Sequence, residues 1–171
     1  MAGRNAHTSV DVPPAQIGQG PSKHSRAAVG IVAGSIILSA EGAIPVEFLC
    51  PGDRIITRNA GMVRIAAIDS RTVRGNFVQI QQGTLADIRP DTDTILGADQ
   101  HLLLRGKLAS LLTGESAGLL RAGDLPVGPG IIGLEDRTLT LVQLIFHSPQ
   151  IVYADGLELL CLEAGQVSLA A

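Results

Sequence analysis

The sequence has few aromatic and few charged residues. Of its 171 residues, 2% are aromatic, with three Phe, one Tyr and no Trp, and 17% are charged. Stacking platforms for single-stranded nucleic acids and sugar rings need aromatic side chains, so the composition argues against those functions. The net charge of −3 gives no basic excess to neutralise a phosphate backbone. We therefore expect no nucleic-acid partner.

Cysteine is also scarce. Cys50 and Cys161 cannot form a disulfide framework, so they leave the cellular compartment open, and each is interpreted as a small buried hydrophobic residue. The two cysteines, together with His101 and His147, are of the residue types that bind zinc. Their separations along the chain do not follow the clustered spacing of zinc ligands, so we predict no metal site. The sequence has no Gly-rich phosphate loop followed by Lys and no HExxH, CxxC or GxSxG motif, so no cofactor is expected.

One uncharged run, residues 27–40, follows Lys23, His24 and Arg26. This order of basic and apolar residues is similar to a secretory signal peptide. The run is shorter than the roughly 20 residues that cross a bilayer, and small residues and Ser dilute its apolar character. A buried strand is the alternative interpretation, and we expect no association with a membrane.

The chain divides into a polar arm and a strand-rich domain. Residues 1–28 contain Pro, Gly, Asn and Gln with little apolar periodicity, which predicts a flexible arm. Over residues 29–171, short β-branched runs such as HLLLR and TLTLVQLIF alternate with Gly, Pro, Asn and Asp turn signals, a pattern typical of an all-β fold. Leucines at residues 108–112, and again at 119–120 after a Gly break, indicate one or two short helical turns.

Four polar residues are candidates for chemistry. His101 begins an apolar run in ADQHLLLRG, with Asp99 two residues before it, and a His at a strand entrance faces either an open cleft or solvent. Ser35 is a nucleophile only if a base lies beside it. His147 precedes Ser148-Pro149, where a surface turn is the simpler interpretation.

Three segments of the chain occur in a family-specific order. The opening run contains Gly34-Ser35, Pro45-Val46-Glu47, Leu49 and Gly52-Asp53; ADQHLLLRG follows, and LIFHSPQIVYADGLELLCLEAG closes the series. Over about residues 29–166, these segments resemble the Hint domain, the Hedgehog and intein autoprocessing module, in its bacterial form. The resemblance implies a compact all-β fold of many short strands with a pseudo-twofold arrangement.

The resemblance also implies a reaction in which the first residue of the domain attacks the preceding peptide bond. That step needs a thiol or a hydroxyl, but the matching position is Gly30, which has no nucleophilic atom. The family's His is retained as His101, whereas the hydroxyl residue three places before it is Ala98. The family's closing His and acid fall at Pro149 and Gln150.

We therefore expect a degenerate, non-catalytic Hint-like domain that acts as a structural or binding module for an unidentified protein partner. The alternative is residual autoprocessing, in which a hydroxyl such as that of Ser35 attacks with His101 as acid or base. His147 would replace the closing His after a shift of two residues. A β-rich interaction domain unrelated to Hint is a third interpretation. The sequence leaves the oligomeric state and the compartment open.

Overall fold

A computed structural model describes residues 27–164. In chain order its strands are β1 (Ile31–Val32), β2 (Ile36–Ser39), β3 (Gly42–Pro45), β4 (Arg54–Thr57), β5 (Gly61–Arg64), β6 (Ala67–Ile80), β7 (Thr94–Gly97), β8 (His101–Arg105), β9 (Ala117–Arg121), β10 (Ile131–Ile145), β11 (Gln150–Ala154) and β12 (Leu157–Cys161). A single α-helix within these residues, α1 (Gly106–Thr113), connects β8 to β9. The predicted all-β fold is confirmed.

Four strands close into a barrel in the order β1, β10, β6, β7. The two longest, β6 and β10, pair in antiparallel fashion, and β1 completes the ring because Ile31 pairs with both Val142 and Leu96. Closure leaves no free edge between β10 and β7. The short strand β1 therefore fixes the chain that precedes it, including Gly30, against β10.

The remaining strands form a second sheet in the order β3, β2, β4, β11, β12, β8, β9, with β5 paired to β4 and β2 also paired to β11. Every second residue is buried along β2, β4, β8, β11 and β12, the pattern of a sheet with one face on the core. Six of these inward side chains are fully buried: Ile37, Ile55, Leu102, Val152, Ala154 and Leu159. The opposite face carries partly exposed side chains such as Ile36 and Leu38.

Two local predictions differ from the structure. Leu119 and Leu120 lie in β9, where they pair with Leu103 and Leu102, so the second leucine pair is not helical. The helix α1 ends at Gly114, whose φ of 81° and N–H bond to Ser110 O make a left-handed C-cap. Cys50 is exposed rather than buried, while Cys161 is buried as predicted.

The apolar run at residues 27–40 supplies β1 and β2, and Ile31 and Ile37 are core residues. Most of the predicted arm lies outside the described residues, but Ala28 is 2% exposed and therefore packed against the domain. No helix in the part of the chain that the structure describes is long and apolar enough to span a membrane. The pseudo-twofold arrangement stays a prediction.

Candidate functional site

The peptide bond between Val29 and Gly30 is held on both sides by side-chain amides. The Gly30 N–H donates to Oε1 of Gln100 at 3.1 Å. The Val29 carbonyl accepts from Nε2 of Gln143 at 3.3 Å. Gln100 lies in the turn between β7 and β8, and Gln143 lies in β10, so the two elements that flank β1 supply one amide each. Both polar atoms of this peptide therefore have neutral partners.

The residue before this peptide is also fixed. The Ala28 N–H donates to Oδ2 of Asp99 at 3.0 Å, and a Cβ built on Gly97 would lie 1.9 Å from the Ala28 carbonyl oxygen. Only glycine permits that approach. Asp99 also contacts Arg121 at 3.3 Å. The pKa of Arg121 is raised, first by its hydrogen bond and charge interaction with Asp124 and then by the charge of Asp99.

Gly30 itself has a backbone conformation that favours glycine. Its φ is +132°, outside the region that L-residues ordinarily adopt. A Cβ at this position would lie 3.2 Å from the Leu141 Cβ and 3.3 Å from both the Gln143 Cγ and the Val142 carbonyl oxygen. Any nucleophilic side chain at residue 30 would start from this crowded, strained position.

Gln100 is the most completely bonded side chain of the site. It is 2% exposed, and its Nε2 donates to the carbonyls of His101 and Leu160, each at 2.9 Å. Two carbonyl acceptors on one side and the Gly30 N–H on the other fix which end of the amide is oxygen. The side chain therefore joins the Val29–Gly30 peptide to β8 and β12.

A cavity of about 20 Å³ lies beside this peptide, and we call it the Gly30 cavity. Its lining includes Val29, Gly30, Gln100, Gln143 and Cys161. The volume is close to that of a single water probe, so the cavity has no room for a substrate. Burial raises the pKa of the Cys161 thiol to about 12, which keeps it protonated and poorly nucleophilic near neutral pH.

The structure separates the four candidate residues predicted from the sequence. Asp99 contacts the chain before Gly30, as described above. His101 is exposed at the first position of β8, and the strand alternation directs Gln100 and Leu102 inward instead. Within residues 27–164, no hydrogen bond joins His101 to the Val29–Gly30 peptide.

Ser35 and His147 occupy other parts of the fold. Ser35 is buried between β1 and β2, where its N–H donates to Val32 O and its carbonyl accepts from Val46 N. His147 is exposed in the turn between β10 and β11. The structure therefore does not bring Ser35 and His147 into hydrogen-bond contact with Gly30.

The two closing-block positions also differ from an acid–base pair. Pro149 is exposed, and its carbonyl accepts from Asn59 Nδ2 at 3.2 Å. Gln150 is 3% exposed and donates to Ser148 Oγ, while its buried Oε1 has no partner among the described residues. Among residues 27–164, no group of three or more His, Cys, Asp and Glu side chains could hold a metal ion.

Gln100 and Gln143 are the site residues that sequence reasoning missed. The available signal was that Gln143 shares a strand face with Leu139 and Leu141, which turns a polar side chain toward an apolar interior. A buried amide needs partners, so this alternation alone was a reason to look for them. The partner atoms lie 114 residues away along the chain for Gln143 and 70 for Gln100.

The barrel and the second sheet together have the fold of inteins and intein-like domains. The bacterial intein-like domain from Clostridium thermocellum is 19% identical, with a TM-score of 0.51, covering 78% of this chain and 98% of that one. The MchDnaB-1 intein is 11% identical, with a TM-score of 0.52 and coverages of 77% and 98%. The AceL NrdHF class 3 split intein is 9% identical, with a TM-score of 0.52 and coverages of 79% and 98%.

The sequence itself matches the family model of the Hint domain over residues 29–165. The chain belongs to the Hint domain family. A comparison with curated protein sequences gave no match. The resemblance that the motif order predicted is therefore confirmed, and the low identities to the solved inteins bear on the fold alone.

Proposed function

We propose that this chain is a non-cleaving Hint domain, a structural or binding module that retains the polypeptide preceding Gly30. The observation that carries the proposal is the Val29–Gly30 peptide. Its glycine has no nucleophile, and both of its polar atoms are held by neutral glutamine amides. The missing nucleophile opposes the first step of self-cleavage, and the missing proton donor at the Gly30 nitrogen opposes the second.

The first step of acyl transfer needs a nucleophile at the Val29 carbonyl. Gly30 has no side chain to supply one. The Cys161 thiol lines the same cavity, but its raised pKa of about 12 leaves very little thiolate at neutral pH. Gln143 donates to the Val29 oxygen, as an oxyanion-stabilising group would. Without an attacking atom, that bond only stabilises the intact peptide.

The second step needs a proton on the Gly30 nitrogen as it leaves. A general acid would donate that proton, but Gln100 accepts a hydrogen bond from the Gly30 N–H. An amide side chain has no acidic proton to deliver at neutral pH. Gln100 therefore places an acceptor, and no proton donor, at the nitrogen that would leave.

The alternative, residual autoprocessing with a hydroxyl nucleophile and His101, requires both groups at the Val29 carbonyl. Ser35 is held between β1 and β2, and His101 is exposed on β8. Reaching the peptide would require β8 to turn by one residue, which would expose Leu102 and Leu104. The geometry therefore supports retention over cleavage.

Intact-mass spectrometry of the purified full chain tests the proposal. The chain is incubated for a day with and without dithiothreitol, and we expect one unchanged mass. Two fragments whose masses add to that of the chain plus one water, or plus one dithiothreitol when the thiol is present, would contradict the proposal, and the new terminus would identify the bond. If fragments form, loss of cleavage in both Ser35→Ala and His101→Ala would establish the autoprocessing alternative.

A further inference from the structure

A groove of about 560 Å³ lies on the outer face of the second sheet, away from the Gly30 cavity. We call it the Tyr153 groove. Four neighbouring strands cross its floor, with Leu38 of β2, Tyr153 of β11, Glu158 of β12 and Leu103 of β8. The Gly30 cavity and this groove have no lining residue in common. The volume falls within the range of ligand-binding pockets.

The part of the floor formed by β2 is apolar and accessible. Ile36 is 36% exposed and Leu38 is 42% exposed, although both lie in a strand whose other face is core. One wall is the segment from Leu85 to Thr92, in which Asp87 has a φ of 61° and the adjacent Ile88 a φ of 58°. Two consecutive left-handed residues, one of them β-branched, store strain, which proteins concentrate at ligand-binding segments.

The charges around the groove leave an excess of negative charge. Its lining contains four carboxylates and two guanidinium groups. Arg89 pairs with Asp91, and Arg105 pairs with Glu158, which Arg58 also contacts at 3.0 Å.

The other two carboxylates have no basic partner. Asp155 accepts from the Ile36 N–H and the Thr94 hydroxyl, and Asp87 makes no ion pair within residues 27–164. A ligand that complements this lining would carry positive charge beside apolar groups.

The shape of the groove fits an extended peptide. At about 4.8 Å between neighbouring strands, β2, β11, β12 and β8 span about 14 Å. That distance matches about four residues of extended chain. At one end lies β3, an edge strand whose Ala43 lines the groove.

We propose that the Tyr153 groove binds an extended peptide segment of a partner protein in which basic residues alternate with branched aliphatic residues. The aliphatic side chains lie on Leu38 and Leu103, and a basic side chain reaches Asp87. The evidence for this site comes from the groove alone. The proposal deepens the binding role proposed for the domain, because it gives the class of partner that the domain would bind.

The protein carries its own reporter for this test. Tyr153 is the single tyrosine of a chain without tryptophan, and it lines the groove. The full chain is titrated with acetyl-Leu-Lys-Val-Arg-amide while tyrosine fluorescence and, separately, the heat of binding are recorded. Acetyl-Leu-Glu-Val-Glu-amide tests the charge, and acetyl-Gly-Lys-Gly-Arg-amide tests the aliphatic side chains.

We expect saturable binding of the first peptide and at least about ten-fold weaker binding of the other two, because each lacks one of the two complementary features. Asp87→Asn should weaken binding about two- to five-fold, the range of one exposed charge pair. Leu38→Asn should weaken it about ten-fold through lost apolar contact. Glu135→Gln, a change of an exposed carboxylate on β10, should leave binding unchanged.

Equal binding of the acidic peptide, or no saturable signal by fluorescence or calorimetry, would overturn the groove proposal. An equal loss of affinity in Glu135→Gln and Asp87→Asn would also overturn it, since binding would then follow total charge. The mass of the same samples is recorded before and after each titration. Cleavage would refute the proposed function and leave the groove result standing, so the two failures are distinguishable.

Discussion

The Gly30 cavity and the Tyr153 groove are two concave regions of one domain with opposite properties. The first holds about 20 Å³, and the peptide beside it is fixed by Gln100 and Gln143. The second holds about 560 Å³ and presents exposed apolar side chains and carboxylates. The peptide beside Gly30, where we propose that cleavage has been lost, is therefore held by the domain's own side chains, while a different face has space for a ligand. A retained fold does not by itself preserve the reaction.

The largest change in stability is expected when the Gln100 amide is removed, because this amide holds the peptide beside the Gly30 cavity. Gln100→Leu removes the partner of the buried Gly30 N–H and one partner each of the partly buried carbonyls of His101 and Leu160. At about 1 kcal/mol for each lost bond, the free energy of unfolding should fall by about 3 kcal/mol. Urea unfolding followed by far-ultraviolet circular dichroism measures this change.

Two controls accompany that variant. Gln81→Leu alters an exposed glutamine, and Leu38→Asn alters the floor of the groove, where Leu38 is 42% exposed. Both should change stability by less than about 1 kcal/mol. Similar losses in Gln100→Leu and Gln81→Leu would contradict the structural role assigned to Gln100.

A smaller effect is expected when a Cβ is added at Gly30. Gly30→Ala introduces both an unfavourable φ and contacts at 3.2–3.3 Å, whereas Gly34→Ala has a φ of +95° with no atom within 4 Å of its Cβ. Backbone strain at such positions costs about 1–3 kcal/mol. Both variants carry the backbone strain, but only Gly30→Ala also carries the crowding. The free energy of unfolding of Gly30→Ala should therefore be about 1 kcal/mol lower than that of Gly34→Ala. Equal thermal midpoints for the two variants would show that the contacts around Gly30 relax freely.

The smallest effect concerns the two thiols. At about pH 8, a thiol reagent should modify exposed Cys50 quickly and buried Cys161 only after unfolding, since the thiolate is the reactive form. Counting modified thiols with and without urea tests this, with Cys50→Ser as the control. Rapid reaction of both thiols in the native protein would show that the Gly30 cavity is open to solvent.

The raised pKa of Cys161 predicts that the stability of the fold changes with pH. Folding raises the pKa of Cys161 from 9.0 to about 12, so its burial stabilises the fold fully below about pH 9. That contribution decreases as pH rises from about 9 to about 12, because the unfolded chain then releases the proton more readily. Cys161→Ala should lose less stability than the natural chain between neutral pH and this alkaline range, and an identical pH profile would contradict the shift.

The strands could be predicted from the sequence because their alternation is a local property of each segment. HLLLR and TLTLVQLIF became β8 and the end of β10 for this reason. Leu119 and Leu120 were ambiguous, because a leucine pair suits a helix as well as a strand. Their pairing with β8 decides in favour of the strand, and that partner is distant in the linear pattern.

The site was less accessible to sequence reasoning. The family motif directs attention to His101, but a one-residue difference in strand alternation decides whether His101 or Gln100 faces Gly30. Register depends on the whole sheet, so the motif alone could not decide between these two residues. Likewise, the absence of a nucleophile at Gly30 was evident in the sequence, whereas the crowding around its missing Cβ depends on Leu141 and Gln143 in β10.

The central claim is that the Gly30 site now holds its peptide bond and is not simply short of one nucleophile. Intact-mass measurement of full-length Gly30→Cys, beside Gly30→Ala as a matched control without a thiol, tests it most directly. Because strain, crowding and the Gln100 bond all remain, both variants should keep a single mass over a day with or without dithiothreitol. Cleavage after Val29 in Gly30→Cys but not in Gly30→Ala would contradict the claim and show that only the nucleophile had been lost.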